Sequence, residues 1–174
     1  KAYTNEQDSF TEQSIPIELD TRRQSGEITY TKVWVTDSSG TTTNSIPHNQ
    51  ACTVHMEFEV HKDTTFTEIT LTLKNSSGIN VISTSLSDSA NSKPHNFTKG
   101  VYTATARLQQ GFLLPDIYTI RLWIHERGVR DITVVDHALQ LRITDAGSPM
   151  AHYGPAAVKW ACVLSDTQWN IVQS

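Results

Sequence analysis
A chain of 174 residues has room for one domain and a tail, and a net charge of −4 with a pI near 5.9 excludes a partner held mainly through nucleic-acid phosphates. With 23 Thr, 16 Ser, 8% aromatics and no long Leu/Ala/Glu/Lys-rich run, the composition favours strands and loops over helices. No apolar run approaches the roughly 20 residues of a membrane span, no basic segment precedes an apolar one as in a secretory signal, and the start at Lys1 reads as a fragment of a longer protein.

Residues 1–25 are polar and weakly patterned, with one apolar group at Ile15-Pro-Ile-Glu-Leu19, and read as a linker or edge segment. The next segment, Gly26 to Gly40, is a strand closed by a Ser-Gly turn. Ile28 and Tyr30 share one parity and Val33 and Val35 the other, so a bulge near Thr31-Lys32 is needed to bury all four; Trp34 then points outward. Cys52, Val54, Met56, Phe58 and Val60 alternate with polar residues in the cleanest strand of the chain. Ile69, Leu71 and Leu73 form a third strand, Asn75-Ser-Ser-Gly78 a turn, and Ile79–Ser85 the returning arm of a hairpin. Residues 86–99 read as a polar loop. Tyr102, Ala104, Ala106 and Leu108 make a fifth strand, Ile117–His125 a sixth, and Ile132–Thr144 a seventh with Leu139, Leu141 and Ile143 inward.

Seven strands separated by turns over residues 26–145 predict an all-β, immunoglobulin-like antiparallel β-sandwich with Greek-key connections. Residues 146–174 form a C-terminal extension in which Val158, Trp160, Cys162 and Leu164 alternate as an eighth strand, detached by a long loop. An apolar strand left over from a complete sandwich needs another edge, so exchange with a second copy in a dimer is expected.

Chemistry-bearing residues are sparse. Cys52 and Cys162 read as two small buried hydrophobes in a reducing compartment, with a disulfide in a secreted protein as the alternative. Asn75-Ser-Ser and Asn96-Phe-Thr match the glycosylation pattern, which matters only in a eukaryotic secretory setting. Seven His raise the question of a metal, with His125-Glu126 and Asp136-His137 flanking one hairpin and His55 and His61 on one strand. No closely spaced ligand pair repeats, so none is expected. Glu57 and Glu59 have the spacing of a glycosidase pair but lie on an outer face with no cleft. No Gly-x-x-x-x-Gly-Lys-Ser/Thr, Gly-x-Ser-x-Gly or His-Glu-x-x-His occurs, and no enzyme activity or cofactor is expected of this stretch.

The sixth strand carries the strongest functional signal. Tyr118, Ile120, Leu122 and Ile124 take one face, leaving Thr119, Arg121 and Trp123 on the other. A Trp beside an Arg among hydroxyls suits stacking on a sugar ring with hydrogen bonds to its hydroxyls. Pairing of the third, sixth and seventh strands adds Thr70, Thr72, Gln140 and Arg142 to that face. A dimer interface is the rival reading for Trp123. Trp34, on the other sheet beside Lys32 and His55, is a further candidate, with packing under the N-terminal segment as its alternative.

Gly26-Glu-Ile28, Val33-x-Val35, Asp37-Ser-Ser-Gly40, the Val54–Val60 alternation, Ser76-Ser-Gly78, Leu114-Pro-Asp-Ile-Tyr118 and Leu139-x-Leu141-x-Ile143 together resemble the C-terminal domain of Wzt proteins. Gly154 and Trp160 are similar to that family's terminal strand, so the resemblance covers about residues 26–164. Asp116 stands where the family has Gly before Ile-Tyr, and Ser83-Thr84 departs from its Gly-Thr-Asn-Thr. Wzt is the nucleotide-binding subunit of bacterial ABC transporters that export O-antigen polysaccharide. The resemblance implies a sandwich that binds the non-reducing end of the finished glycan, where methyl, phosphate or acidic-sugar groups are recognised, and that dimerises by exchanging its last strand. It also implies an ATPase in a missing N-terminal part that joins the transmembrane export subunit, and a cytoplasmic position peripheral to the inner membrane. The alternatives are a secreted lectin-like or accessory module and a purely structural dimerisation domain.

Overall fold
The computed structural model describes residues 10–89, 93–165 and 167–172. Ten strands run in chain order: β1 (Ile17–Glu18), β2 (Ile28–Thr36), β3 (Ser45–Pro47), β4 (Cys52–Val60), β5 (Thr64–Lys74), β6 (Asn80–Ser85), β7 (His95–Phe97), β8 (Gly100–Leu108), β9 (Asp116–Glu126) and β10 (Arg130–Thr144). One sheet has the order β1-β2-β4-β8, the other β3-β10-β9-β5-β6 with β7 added to the start of β5. All pairs are antiparallel except β3 on β10.

The seven long strands are those the alternation predicts. The extra ones, β1, β3 and β7, have only two or three residues each, too few to show a period. β1 makes the N-terminal segment an edge strand, with Ile17 opposite Val33. In β2 the register skips Thr31, between Tyr30 opposite Phe58 and Lys32 opposite Glu57, and this bulge buries Ile28, Tyr30, Val33 and Val35 together.

The core fills the space between the sheets with Ile, Leu and Val from β2, β4, β5, β9 and β10 around Tyr30, Phe58 and Tyr118. At the start of β9 the buried Tyr118 hydroxyl donates to the Leu114 carbonyl at 3.0 Å, the tyrosine corner of immunoglobulin-like sandwiches. The sandwich is tied along one edge. Thr133 donates its hydroxyl to the Ile28 carbonyl, and Arg130 forks onto Glu27 at 2.8 and 3.0 Å while reaching Glu126 at 3.2 Å. The other edge, between β6 and β8, stays open around a cavity of about 310 Å³ lined by Met56, Leu71, Leu86, Ala104 and Ala106.

The C-terminal extension departs from expectation. Ala151–Lys159 is 3₁₀-helical, in two pieces broken at Gly154 (φ 52°), and Trp160 is 75% exposed. Val158, Trp160, Cys162 and Leu164 therefore do not form a strand. Ala157 is buried, and Met150, Gly154, Ala157 and Val158 face Ile117 and Ile143 across a space of about 480 Å³. The i, i+3, i+4 apolar set and the two adjacent alanines decide for a helix, against a short alternation. Only Val163 retains strand character, in a bridge to Leu113 beside a Leu164 N–H bond to the Phe112 carbonyl. Cys52 is buried, and desolvation pushes its thiol up to about 11. Cys162 is exposed, which corrects the reading of both as buried; both are free thiols. Asn75 is likewise buried, its side chain accepting from the Ser77 and Ile79 N–H groups to shape the turn after β5.

Candidate functional site
β9 lies between β5 and β10, so its outward side chains sit mid-sheet. Thr70 is opposite Trp123, Thr72 opposite Arg121, and Val134 opposite Trp123 on the other side. The predicted pairing of the third, sixth and seventh strands holds, and Trp123, Arg121, Thr70 and Thr72 meet on one face.

Their geometry is more constrained than an open aromatic platform. The His125 ring stacks on Trp123 with centroids 4.0 Å apart and planes at 21°. Two residues the other way along β9, the Arg121 guanidinium lies 5.6 Å from the indole centroid. The indole is thus the middle of a three-tier stack. Its Nε1–H donates to Asp131 Oδ1 at 3.1 Å, and Arg121 Nε donates to Asp136 Oδ1 at 2.8 Å. Beside the stack runs a row of hydroxyls: Thr70 bonds Ser85 at 2.7 Å and His125 Nε2 at 3.3 Å, and Thr72 bonds Ser83 at 3.2 Å. Thr70 and Thr72 are buried, so what the face presents is an indole edge flanked by partly used carboxylates and the Ser83 and Ser85 hydroxyls, a set suited to polyols.

Gln140 and Arg142 point to the same side but lie further along β10, opposite Thr119 and Ile117. The N-terminal segment crosses there. Phe10 packs 3.8 Å from the Arg142 guanidinium, and the buried Asn44 ties Thr11, Gln13 and the Gln140 carbonyl together. These two residues belong to a covered end of the face, not to the Trp123 cluster. Trp34 is on the outer face of the opposite sheet, stacked on His55 with centroids 4.9 Å apart and planes at 4°. His55 accepts or donates at Thr36 Oγ1 (2.9 Å), and its partial burial lowers its pKa below the ordinary value of 6.5.

The sequence pattern did not pick out Asp131, Asp136, His125, Ser83 or Ser85 for this face. His125 carried the signal, since it shares the parity of Trp123. The two aspartates did not, because β10 has register shifts at Asp131–Thr133 and Val135–Leu139 that erase its period. His125 pairs with Asp131 and so does not meet Asp136-His137, which lie in the second irregularity. Among the described residues no three His, Cys, Asp or Glu side chains gather as metal ligands would. Glu57 accepts from Thr31 at 2.8 Å near Lys32, and Glu59 neighbours His61, so both are engaged on the outer face of the other sheet.

The topology and the tyrosine corner define an immunoglobulin-like β-sandwich domain. Residues 20–154 match the family described as the Wzt C-terminal domain, and the chain belongs to that family. Its fold is similar to the crystal structure of the C-terminal domain of Wzt, at a TM-score of 0.66 and 13% identity over 86% of each chain. A putative β-galactosidase from Bacteroides fragilis matches at a TM-score of 0.41 and 15% identity, over 64% of this chain and 16% of that one. A β-glucuronidase from Bacteroides uniformis matches at 0.41 and 10%, over 58% and 12%. Neither enzyme resemblance is close enough to bear on function. No curated protein sequence matches the chain.

Proposed function
We propose that this chain is the non-catalytic glycan-recognition domain of a polysaccharide ABC exporter. It binds the non-reducing end of O-antigen polysaccharide and couples that recognition to export. The ATPase that drives transport lies in a part of the protein outside this chain and docks on the transmembrane export subunit, which puts the domain on the cytoplasmic side of the inner membrane. Membership of the Wzt C-terminal family supports the setting. No helix among the described residues is long and apolar enough to cross a membrane.

The observation that carries the binding site is the Arg121–Trp123–His125 stack beside Thr70, Thr72, Ser83 and Ser85. Shallow polar faces of this kind gain affinity from one aromatic anchor and a few directional hydrogen bonds. The test is titration of O-polysaccharide, released from the lipopolysaccharide of the encoding strain, into wild type, Trp123→Ala and Trp34→Ala. Trp123→Ala is expected to bind roughly tenfold more weakly, equivalent to about 1.4 kcal/mol. Loss confined to Trp34→Ala would move the site to the opposite sheet.

The domain also dimerises in this reading. Trp169 and Ile171 are 89% and 93% exposed in a tail without regular secondary structure, and an apolar segment of that kind calls for another surface. The exchanged segment is then residues 167–172, beyond the position that the alternation around Trp160 suggested.

A further inference from the structure
Phe66 is the one non-glycine residue among the described ones with a positive φ, 49°, and its side chain is 67% exposed. That conformation is disfavoured for a bulky residue and persists where surrounding bonds impose it. Here they do: Phe66 N–H donates to Asn96 Oδ1 at 3.1 Å, and the Phe66 carbonyl accepts from Arg127 N–H at 3.0 Å. Both bonds use backbone atoms that any residue supplies. Glycine or asparagine would make them without the conformational cost, and burial of the ring contributes little. Nothing inside the fold explains a phenyl group at this position.

Two residues on, Glu68 is only 2% exposed and faces His125 across the β5–β9 pair. Its Oε2 accepts from Ser87 N–H at 3.2 Å, but Oε1 has no hydrogen-bond partner among the described residues. The Arg127 guanidinium stands 3.7 Å from Oε1, beyond hydrogen-bond reach, and is 63% exposed. A buried carboxylate oxygen without a donor is costly; Oε1 has almost no solvent-accessible surface, so a hydroxyl completes it by displacing the exposed Arg127 side chain. Arg127 already offsets the charge of Glu68, so no cation is spare for an anionic group. Glu68, opposite His125, lies two residues or roughly 7 Å along the sheet from the Trp123–Thr70 pair, and Arg127 follows in the hairpin turn after β9.

We propose that Phe66, Glu68 and Arg127 form a second contact for the glycan at the hairpin end of this face, and that it takes an uncharged sugar. The phenyl ring covers the apolar side of the sugar, and Glu68 Oε1 accepts a hydrogen bond from one of its hydroxyls. This rests on the glycan-binding reading above.

The test uses the same O-polysaccharide with wild type, Trp123→Ala, Phe66→Asn and Glu68→Gln. Asparagine tolerates the left-handed conformation, so Phe66→Asn should melt at or above the wild-type temperature yet bind at least about fivefold more weakly. A lower melting temperature with unchanged affinity would make the ring structural and overturn the proposal. Oxidising the primary hydroxyls of the polysaccharide to carboxylates should weaken binding to wild type, and less so to Glu68→Gln; tighter binding of the oxidised polymer refutes the uncharged assignment. If wild type binds no polysaccharide, the functional reading fails and this one with it. If Trp123→Ala weakens binding and Phe66→Asn does not, only the second contact is wrong.

Discussion

Single side chains settle several features of this domain by completing or leaving open a hydrogen bond. Tyr118 is buried, and desolvation with help from the nearby Asp116 drives its hydroxyl well above its ordinary pKa, so it stays a neutral donor to Leu114. Tyr118→Phe keeps the ring but strands a carbonyl, and should cost about 1–3 kcal/mol in urea unfolding with no change in m value. His55 works in the opposite sense. Its lowered pKa means that the folded state holds it neutral while the unfolded chain protonates near 6.5. Its contribution is complete above that pH and is lost as pH falls through the folded value. NMR titration should give a His55 midpoint below 6.5, and His55→Gln should flatten the decline in stability between about pH 7.5 and 5.5. A midpoint at or above 6.5 rejects the account. The Asp116 carboxylate accepts from the Ser76 N–H and hydroxyl at 3.1 and 2.9 Å, which braces the turn after β5.

Among the elements, β2 shows how one residue sets the register of a whole strand. Ile28 and Tyr30 on one side of Thr31, and Val33 and Val35 on the other, reach the core only because Thr31 is unpaired. Deleting Thr31 removes the extra residue and leaves Ile28, Tyr30, Val33 and Val35 at alternate positions of a regular strand, so all four keep facing the core in the same register. The deletion is therefore expected to keep a cooperative unfolding transition by circular dichroism, and Thr31→Ala should stay folded with a loss below about 1.5 kcal/mol from the Glu57 hydrogen bond. The site depends on an element in the same way. β9 keeps an unbroken alternation over the nine residues Ile117–His125, which is why Arg121, Trp123 and His125 line up as a stack.

For the whole molecule, the sandwich is asymmetric. Arg130, Glu27 and Thr133 join the sheets on one side, while β6 and β8 leave the other open. The chain beyond Leu164 adds exposed Trp169, Ile171 and Val172, whereas Val163 and Leu164 are still bridged to Leu113 and Phe112. Truncation after Leu164 should therefore keep the fold and change the assembly. Sedimentation is expected to give a dimer for the full chain and a monomer for the truncated one, with melting temperature nearly unchanged at low protein concentration. A dimer that survives the truncation would place the interface elsewhere, with the open β6–β8 edge the next surface to examine.

Sequence alone determined the all-β class, the seven long strands, the bulge at Thr31, the outward placement of Arg121 and Trp123, and the family resemblance. Each of these is a local signal: a period of two, a turn residue, or a parity that must flip for four apolar residues to be buried together. Tertiary structure alone decided that His125 and Arg121 flank the indole, that Asp131 and Asp136 reach the same cluster from an irregular strand, and that Phe10 and Asn44 cover Arg142 and Gln140. It also decided that the alternation around Trp160 gives way to a broken 3₁₀ helix facing Ile117 and Ile143 across a pocket. Those outcomes depend on which residues from distant segments compete for the same space, and a short periodic run carries no information about its competitors.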